Sequence, residues 1–477
     1  MMIWSRRRLK GSPFSFLPDP MKYSTQFKES VSKNCVKCKE AIAVVVIRAG
    51  DKHCRDCFEQ YFRHKFRAIL GKNRVVFPGE KVLLAVSGGS SSSSMLRQVQ
   101  EGLSQNAHKK LRFMPGIVYI DEGGALDQSV EERRQTVAMM EDMFKATGFP
   151  FYIVPLEKVL DLPSSVIVMA PSSSQQQESQ TQLLQQLIDC SKTLTAKEDI
   201  LSMLRQHLLV HTARCEGYNK LMFGDNCTRL AVKLLSSISL GRGAQLAQDT
   251  SFSDSRYGDI ISLRPMRDYS SKEIAYYRHI FNVPSVVTPN LHTKNKEKAS
   301  IQRLTESFVN KLQVDFPSTV STIYRTSEKL QTTCKSTSAN PCDRCLLCMC
   351  SLDTTVENAS AFQATRISER LSQCKSVGAN SDLFPGQNTE LRSPGTNCCS
   401  KGRGEHFERT VEDRGCCSSI RVPDTTDMSG LLCYSCQLTM KDMSSVECLP
   451  QYILSEAQIR QRRSRMKEEI SDFLLDD

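Results

Sequence analysis

Between residues 75 and 290 the hydrophobic pattern alternates between short unbroken apolar runs and stretches of helical spacing. Val82–Val86 is an apolar run bounded by Glu80-Lys81 and Ser87-Gly88-Gly89, as expected of a strand buried on both faces. Met95 to Leu103 has helical character, and Gly116–Ile120 is a second strand ending in Asp121-Glu122-Gly123-Gly124. Gln128 to Thr147 sets Val137, Met140 and Phe144 on one side of a helix, and Phe151–Val154 follows as a strand. Ile200 to Tyr218 is helical, Leu221 to Asn226 a strand and turn, and Thr228 to Leu240 a helix closed by Gly241-Arg242-Gly243. Asp259–Leu263 is another strand, and after Arg264-Pro265-Met266-Arg267-Asp268 either Ser270 or Ser271 caps a helix through Tyr277. Strand–helix–strand units at this spacing imply a parallel sheet with right-handed crossovers, hence an α/β domain over 75–290. Ligands of such sheets sit at the carboxyl ends of the strands.

Around this domain the pattern changes. Residues 1–30 are expected to form an N-terminal extension: Arg6-Arg7-Arg8 has no apolar stretch behind it, so it does not fit a secretory signal. Residues 31–74 hold two cysteine pairs and an amphipathic helix, and 163–182 is a Ser- and Gln-rich stretch expected to be a flexible insertion. Residues 291–352 and 430–477 read as a helical, cysteine-bearing C-terminal region, with a charged helix from Gln458 to Phe473. Residues 353–429 lack apolar periodicity and are expected to be largely disordered. No apolar run approaches the roughly 18 residues of a membrane span, so no membrane partner is expected.

The chain has 20 cysteines. Without a signal peptide, and with several in Cys-x-x-Cys pairs, metal ligation in a reducing cytoplasm fits better than a disulfide scaffold. Cys35-x-x-Cys38 and Cys54-x-x-Cys57, 15 residues apart, can close a four-thiolate site around one zinc. Ala43–Ile47 between them is strand-like and Ala49-Gly50-Asp51 a turn, so the segment reads as a zinc ribbon of two knuckles. The adjacent pairs Cys398-Cys399 and Cys416-Cys417 are given no role.

The net charge of +11 is carried by the first 74 residues, which hold 17 Lys/Arg against 6 Asp/Glu. Such a balance suggests a polyanionic partner. Phe58, Tyr61, Phe62, Phe66 and Ile69 share one helix face and are expected to pack inward. Arg63, Lys65 and Arg67, mostly off that face, are the candidates for contact with the phosphates of such a partner; a merely solvated face is the alternative.

Ser87, Gly88, Gly89, Ser90, Ser91 and Ser92 lie between a buried strand and a helix, where backbone N–H groups and the positive end of the helix dipole can cradle a phosphate. The run lacks the Gly-Lys-Ser/Thr ending of a Walker loop. A serine-rich linker is the bland alternative, but linkers do not usually begin with Ser-Gly-Gly on the end of a buried strand.

The loop resembles the Ser-Gly-Gly-x-Asp-Ser pyrophosphate (PP) loop of ATP pyrophosphatases that adenylate a substrate carbonyl, with Ser91 where that family has Asp. Taken with Cys35/Cys38/Cys54/Cys57, Phe223-Gly-Asp-Asn-Cys-Thr-Arg-Leu-Ala231, Arg264-Pro-Met-Arg-Asp268 and Cys433-Tyr-Ser-Cys436, the ordered set resembles one family. Its members are the second, non-identical subunits of the cytoplasmic tRNA 2-thiolation complex. The resemblance implies a PP-loop (adenine nucleotide alpha hydrolase-like) domain flanked by N- and C-terminal zinc-binding modules. It implies a heterodimer with a catalytic thiouridylase subunit, and sulfur delivered by a thiocarboxylated ubiquitin-like carrier. The substrate it implies is the wobble uridine of the tRNAs for lysine, glutamate and glutamine. It also implies a second zinc held by Cys345, Cys348, Cys433 and Cys436, chosen over Cys342/Cys345 because Ser351-Leu-Asp resembles the family's run after its knuckle.

Several groups that active thiolases carry are absent at the matching places: the loop Asp is Ser91, and no cysteine lies between Asp121 and Asp189. The acidic pair after the later strand is not reproduced in Gly224-Asp-Asn-Cys-Thr228, whose Cys227 is either a nucleophile or a small buried residue. No residue is therefore assigned as catalytic. Backbone donors survive the change at Ser91 while a Mg²⁺-holding carboxylate is lost, so an anion is expected to be retained and catalysis lost, with ATP binding left open. Three readings follow: a non-catalytic or weakly catalytic tRNA-binding subunit, an ATP-dependent tRNA sulfurtransferase in its own right, or a zinc-ribbon adaptor in protein modification.

Overall fold

The computed structural model describes residues 34–105, 110–162, 176–289, 299–327, 344–352 and 428–470 apart from Ala49, with single positions at 107, 291, 329, 365, 366 and 369. The 1–30 extension, most of the 163–182 insertion and nearly all of 353–429 lie outside the described residues. So do Cys342 and the two adjacent cysteine pairs. The chain divides into two compact units, ending and beginning at Lys65 and Phe66.

In the first unit β1 (Val45–Arg48) and β2 (Asp51–His53) form an antiparallel hairpin, turned at Gly50 with φ +81°. Helix α1 (Arg55–Asn73) starts here and continues past Lys65. Its aromatic face is buried as the spacing predicts: Phe58, Phe62 and Phe66 are fully covered and Ile69 nearly so. Tyr61 stacks on His53 with ring centroids 5.6 Å apart.

The second unit is built on a six-stranded sheet. In chain order its elements are β3 (Lys81–Ala85), α2 (Ser90–Leu103), β4 (Met114–Asp121), α3 (Val130–Lys145), β5 (Phe151–Pro155), α4 (Gln176–Asp189), α5 (Leu194–Cys215), β6 (Lys220–Phe223), α6 (Cys227–Ser239), α7 (Leu246–Thr250), β7 (Ser253–Tyr257), β8 (Ile260–Leu263) and α8 (Ser271–Ile280). The strand order is β5-β4-β3-β6-β8-β7. The first five run parallel, and only the edge strand β7 is antiparallel, to β8. Val82, Leu83 and Leu84 have no exposed surface, each burial contributing about 1.5–3 kcal/mol, which is why β3 reads as an unbroken apolar run. The chain moves outward from β3 through β4 to β5, then returns to the other side of β3 with β6. The carboxyl ends of β3 and β6 therefore form the topological switch point, where open α/β sheets bind ligands.

Three elements differ from expectation. Helix α2 begins at Ser90 rather than Met95, because Ser92 and Ser93 hydroxyls donate to the Gly89 and Gly88 carbonyls at 3.1 Å and fold into the first turn. Residues 176–182, expected to be flexible, are the first turns of α4: Leu184, Leu187 and Ile188 anchor that helix, and Gln and Glu extend it readily. Strand β7 carries no apolar alternation; its Asp254 and Arg256 are a buried ion pair with Nε–Oδ2 2.9 Å. Helix α8 is capped by Ser270, in a reciprocal capping box with Glu273.

Helices α9 (Ile301–Asp315) and α10 (Pro317–Ser327) pack on α6, with Val309, Val320 and Tyr324 against Leu230 and Ala231. The C-terminal helices are α11 (Tyr434–Lys441) and α12 (Gln451–Ile470). Helix α12 starts ahead of the expected Gln458 because Ile453, Leu454 and Ala457 are buried. Leu346, Met440 and Ile453 belong to the same apolar cluster as Leu83, Val118 and Leu208, so the C-terminal segments complete the core of the sheet unit. Among the described residues no helix is long and apolar enough to cross a membrane.

One buried ion network holds the carboxyl end of β4. Arg133 on α3 reaches Asp121 at 2.8 Å and Glu157 at 2.7 Å, and Glu157 is 1% exposed. A Cβ on Gly124 would lie 2.1 Å from the Glu157 carboxylate, so the Gly-Gly turn is what admits it. Arg133→Ala leaves two carboxylates buried without their cation and should cost about 3–5 kcal/mol in urea unfolding. The exposed Arg134→Ala should stay within about 0.5 kcal/mol of the parent.

Candidate anion cleft and two cysteine centres

The Ser87–Ser92 run leaves β3 at the switch point, as its sequence predicts, and Gly88 takes φ +78° to turn it. A Cβ at Gly88 would lie 2.9 Å from both the Met140 sulfur and the Val286 carbonyl oxygen, so only glycine fits. Val286 N–H donates to the Gly88 carbonyl at 2.9 Å and the Thr288 hydroxyl to the Ser87 carbonyl at 3.3 Å, laying the segment after α8 across the loop. Gly89 precedes α2 with no side-chain cap. Among the described residues no acceptor meets the N–H groups of Ser90, Ser91 and Ser92, which are the orphan donors of the first helical turn.

The partner of this loop is the turn after β6, which the sequence did not flag as one. The Ser91 hydroxyl donates to the Gly224 carbonyl. Gly224 itself packs against the start of α2: a Cβ there would be 2.7 Å from Ser92 Cα and 2.8 Å from its nitrogen. Asn226 caps α6 by accepting from Arg229 N–H at 2.9 Å. Cys227 is 4% exposed within the Leu230, Ala231 and Val309 cluster, in keeping with a small buried residue. Arg264, at the end of β8, brings Nε to 3.7 Å from Asp225 and Nη2 to 3.6 Å from Asp254. The arrangement offers backbone donors and no metal-binding carboxylate at position 91.

Both cysteine quartets assemble. Cys35, Cys38, Cys54 and Cys57 have their sulfurs within 4.8 Å of one another, and so do Cys345, Cys348, Cys433 and Cys436. Four thiolates at tetrahedral distance from one ion of zinc size stand about 3.8 Å apart. Here Cys38–Cys54 is 3.9 Å and Cys348–Cys433 3.5 Å, so either quartet can hold a metal ion.

The two centres share one construction. In each, the first pair lies on a tight knuckle: Lys39 (φ +63°) donates N–H to the Cys35 carbonyl at 2.9 Å, and Met349 (φ +58°) to Cys345 at 3.0 Å. The second pair opens a helix, with Phe58 N–H on the Cys54 carbonyl and Gln437 N–H on Cys433, each at 2.9 Å. The expected two-knuckle ribbon is thus a knuckle, a hairpin and a helix N-terminus, because α1 begins directly after Cys54 and its dipole favours thiolates there. Burial opposes ionising Cys35, but backbone N–H groups of Cys38, Cys54 and Lys37 outweigh it and draw the thiol down to about 5. Burial and the neighbouring sulfurs push Cys57 up to about 12, since four thiolates this close cannot all ionise without a cation. Beside the second centre Cys350 is buried, with Arg256 Nη1 3.3 Å from its sulfur.

The basic candidates on α1 are half-buried or mostly covered rather than fully projecting. Arg63 pairs with Glu59, and Lys65 reaches the Tyr61 hydroxyl at 3.0 Å with its ammonium 5.2 Å from that ring. Arg67 is half-buried.

The family model described as "Cytoplasmic tRNA 2-thiolation protein 2" matches residues 300–438. Curated relatives of that name match far more. The zebrafish (Danio rerio) protein is 52% identical, covering 94% of this chain and 95% of its own length. The human protein is 47% identical, with 94% and 95% covered. Among solved structures, the U34-tRNA thiolase NcsA from Methanococcus maripaludis with its 4Fe-4S cluster aligns at 16% identity over 64% of this chain and 91% of that one. Its TM-score is 0.46, too loose to add to the sheet order described above.

Two outcomes follow from this geometry. Elemental analysis of the full chain should give about two metal equivalents, falling to about one in Cys433→Ser; a metal-free, fully folded chain would contradict both centres. Ser91→Asp should destabilise the chain by about 1–3 kcal/mol in denaturant, because a carboxylate cannot donate to Gly224 and would face its carbonyl oxygen. An unchanged midpoint would show that the contact contributes nothing.

Proposed function

Since the chain belongs to the cytoplasmic tRNA 2-thiolation protein 2 family, we propose that it is the subunit that holds tRNA while a catalytic thiouridylase partner performs the chemistry. It is a cytoplasmic protein of tRNA 2-thiolation. The proposed assembly is a heterodimer that replaces the 2-oxygen of the wobble uridine in the tRNAs for lysine, glutamate and glutamine. Sulfur would arrive on a thiocarboxylated ubiquitin-like carrier.

The observation that carries this reading is the switch point. The scaffold of a phosphate site persists there, with orphan N–H groups on Ser90 to Ser92, while Ser91 is spent as a donor to Gly224 and presents no carboxylate to a Mg²⁺ ion. A site of this kind can hold an anionic phosphate through backbone donors and has no evident group to activate a nucleophile. The metal in each cysteine centre is proposed to be zinc, which suits four thiolates with no open position and therefore a structural role. Arg63, Lys65 and Arg67 are proposed to add phosphate contacts from the first unit, positioning tRNA without reading its bases.

Loss of this chain should abolish wobble 2-thiouridine even where the thiouridylase is abundant. Mass spectrometry of nucleosides from tRNA of knockout cells, with and without re-expression of the intact chain, checks it. Normal 2-thiouridine in the knockout would mean the partner needs no second subunit.

A further inference from the structure

All five cations of α12 lie between Glu456 and the Glu468-Glu469 pair of its last turn. From Ala457 to Lys467 the chain has five cations, Arg460, Arg462, Arg463, Arg465 and Lys467, and no carboxylate. The first of these is different in kind from the rest. Arg460 is 4% exposed, pairs with Glu456 at 2.7 Å and donates from Nη1 to the carbonyl of Arg344, the residue before the metal ligand Cys345. Beyond it, Arg462, Arg463, Arg465 and Lys467 are all exposed, and among the described residues none of the four meets a carboxylate.

At 1.5 Å per residue the helix from Arg460 to Ile470 extends about 15 Å past its anchor. With 100° between successive residues, the four cations occupy roughly 200° of the helix circumference. That spread suits a backbone with charges on either side and not a single acidic side chain. Exposed Met466 and Ile470 do not build a continuous apolar face, because Arg462 and Arg463 stand one turn before Met466, so the segment is a poor membrane-surface helix.

We propose that this projecting end of α12 is an RNA-phosphate grip, rooted on the second cysteine centre through Arg460 and Arg344. It rests on the reading that the chain holds tRNA, and adds to it a contact surface on the second unit. The cations act on phosphates, so the grip binds tRNA irrespective of sequence. Metal in the second centre fixes the knuckle that bears Arg344, so the placement of the grip depends on that centre.

The test compares the full-length, metal-replete chain with the variant R462A/R463A/R465A/K467A, using fluorescence anisotropy of a labelled lysine tRNA transcript and of a non-substrate tRNA from about 50 to 200 mM salt. The expected result is affinity at least about tenfold weaker for both RNAs. The slope of log K against log salt should fall by roughly 3, as four lost phosphate contacts require. Thermal midpoint and metal content should be unchanged, since all four side chains are exposed. A variant that binds both RNAs like the parent would overturn the grip and leave the tRNA reading standing. A parent chain that binds no tRNA, alone or with its partner, would overturn the tRNA reading itself and the grip with it. Loss confined to the substrate tRNA, or loss of binding to phosphatidylserine vesicles with tRNA affinity intact, would also overturn the proposal.

Discussion

The contact between Ser91 and Gly224 is the constraint around which the sheet unit is organised. It joins the loop leaving β3 to the turn leaving β6, across the point where the chain reverses its direction of travel through the sheet. It requires a hydroxyl on one side and a missing Cβ on the other, since any side chain on Gly224 would strike the backbone of Ser92. Gly88 closes the same loop from the opposite side, beneath Val286. Backbone N–H groups of Ser90 to Ser92 at the start of α2 are left without an acceptor among the described residues, while the Ser91 hydroxyl is engaged by Gly224.

The two cysteine centres solve the same problem at different places in the chain. Each joins a knuckle to the first turn of a helix, so that backbone N–H groups and the helix dipole support sulfurs that repel one another. In the second unit this construction ties α11 and the Cys345 knuckle into the core that also contains β3 and β4, through Leu346, Met440 and Ile453. A metal there would stabilise the carboxyl half of the chain from within the common core.

What could be read from the sequence follows from how each element is stabilised. Parallel strands buried on both faces, such as Val82 to Leu84, announce themselves as apolar runs, and the spacing of Cys35, Cys38, Cys54 and Cys57 announces the first centre, whereas the second is reached only through the family resemblance. Strand β7 does not, because Asp254 and Arg256 are buried by pairing with each other and not by being apolar. The Gln-rich start of α4 looks like a linker because its anchor, Leu184 to Ile188, lies one turn further on. The Cys54 pair looks like a second knuckle in the sequence because spacing alone does not distinguish a turn from a helix N-terminus. Gly224 is legible in the sequence as part of a turn and of the Phe223–Ala231 run, but not as a contact. Its role lies in a contact with Ser91, 133 residues away, which no local pattern encodes.

In the proposed division of labour this chain supplies position and affinity and its partner the reaction, with the switch-point cleft holding an anion without activating it. The most direct measurement is release of pyrophosphate from ATP in the presence of tRNA, and of AMP once a thiocarboxylate sulfur donor is also present, by the purified, metal-replete chain with and without the thiouridylase subunit. No release by the chain alone, and release on adding the partner, is the predicted result. Turnover by the chain alone, abolished when the Ser87–Ser92 loop is altered, would contradict it and make this a sulfurtransferase in its own right.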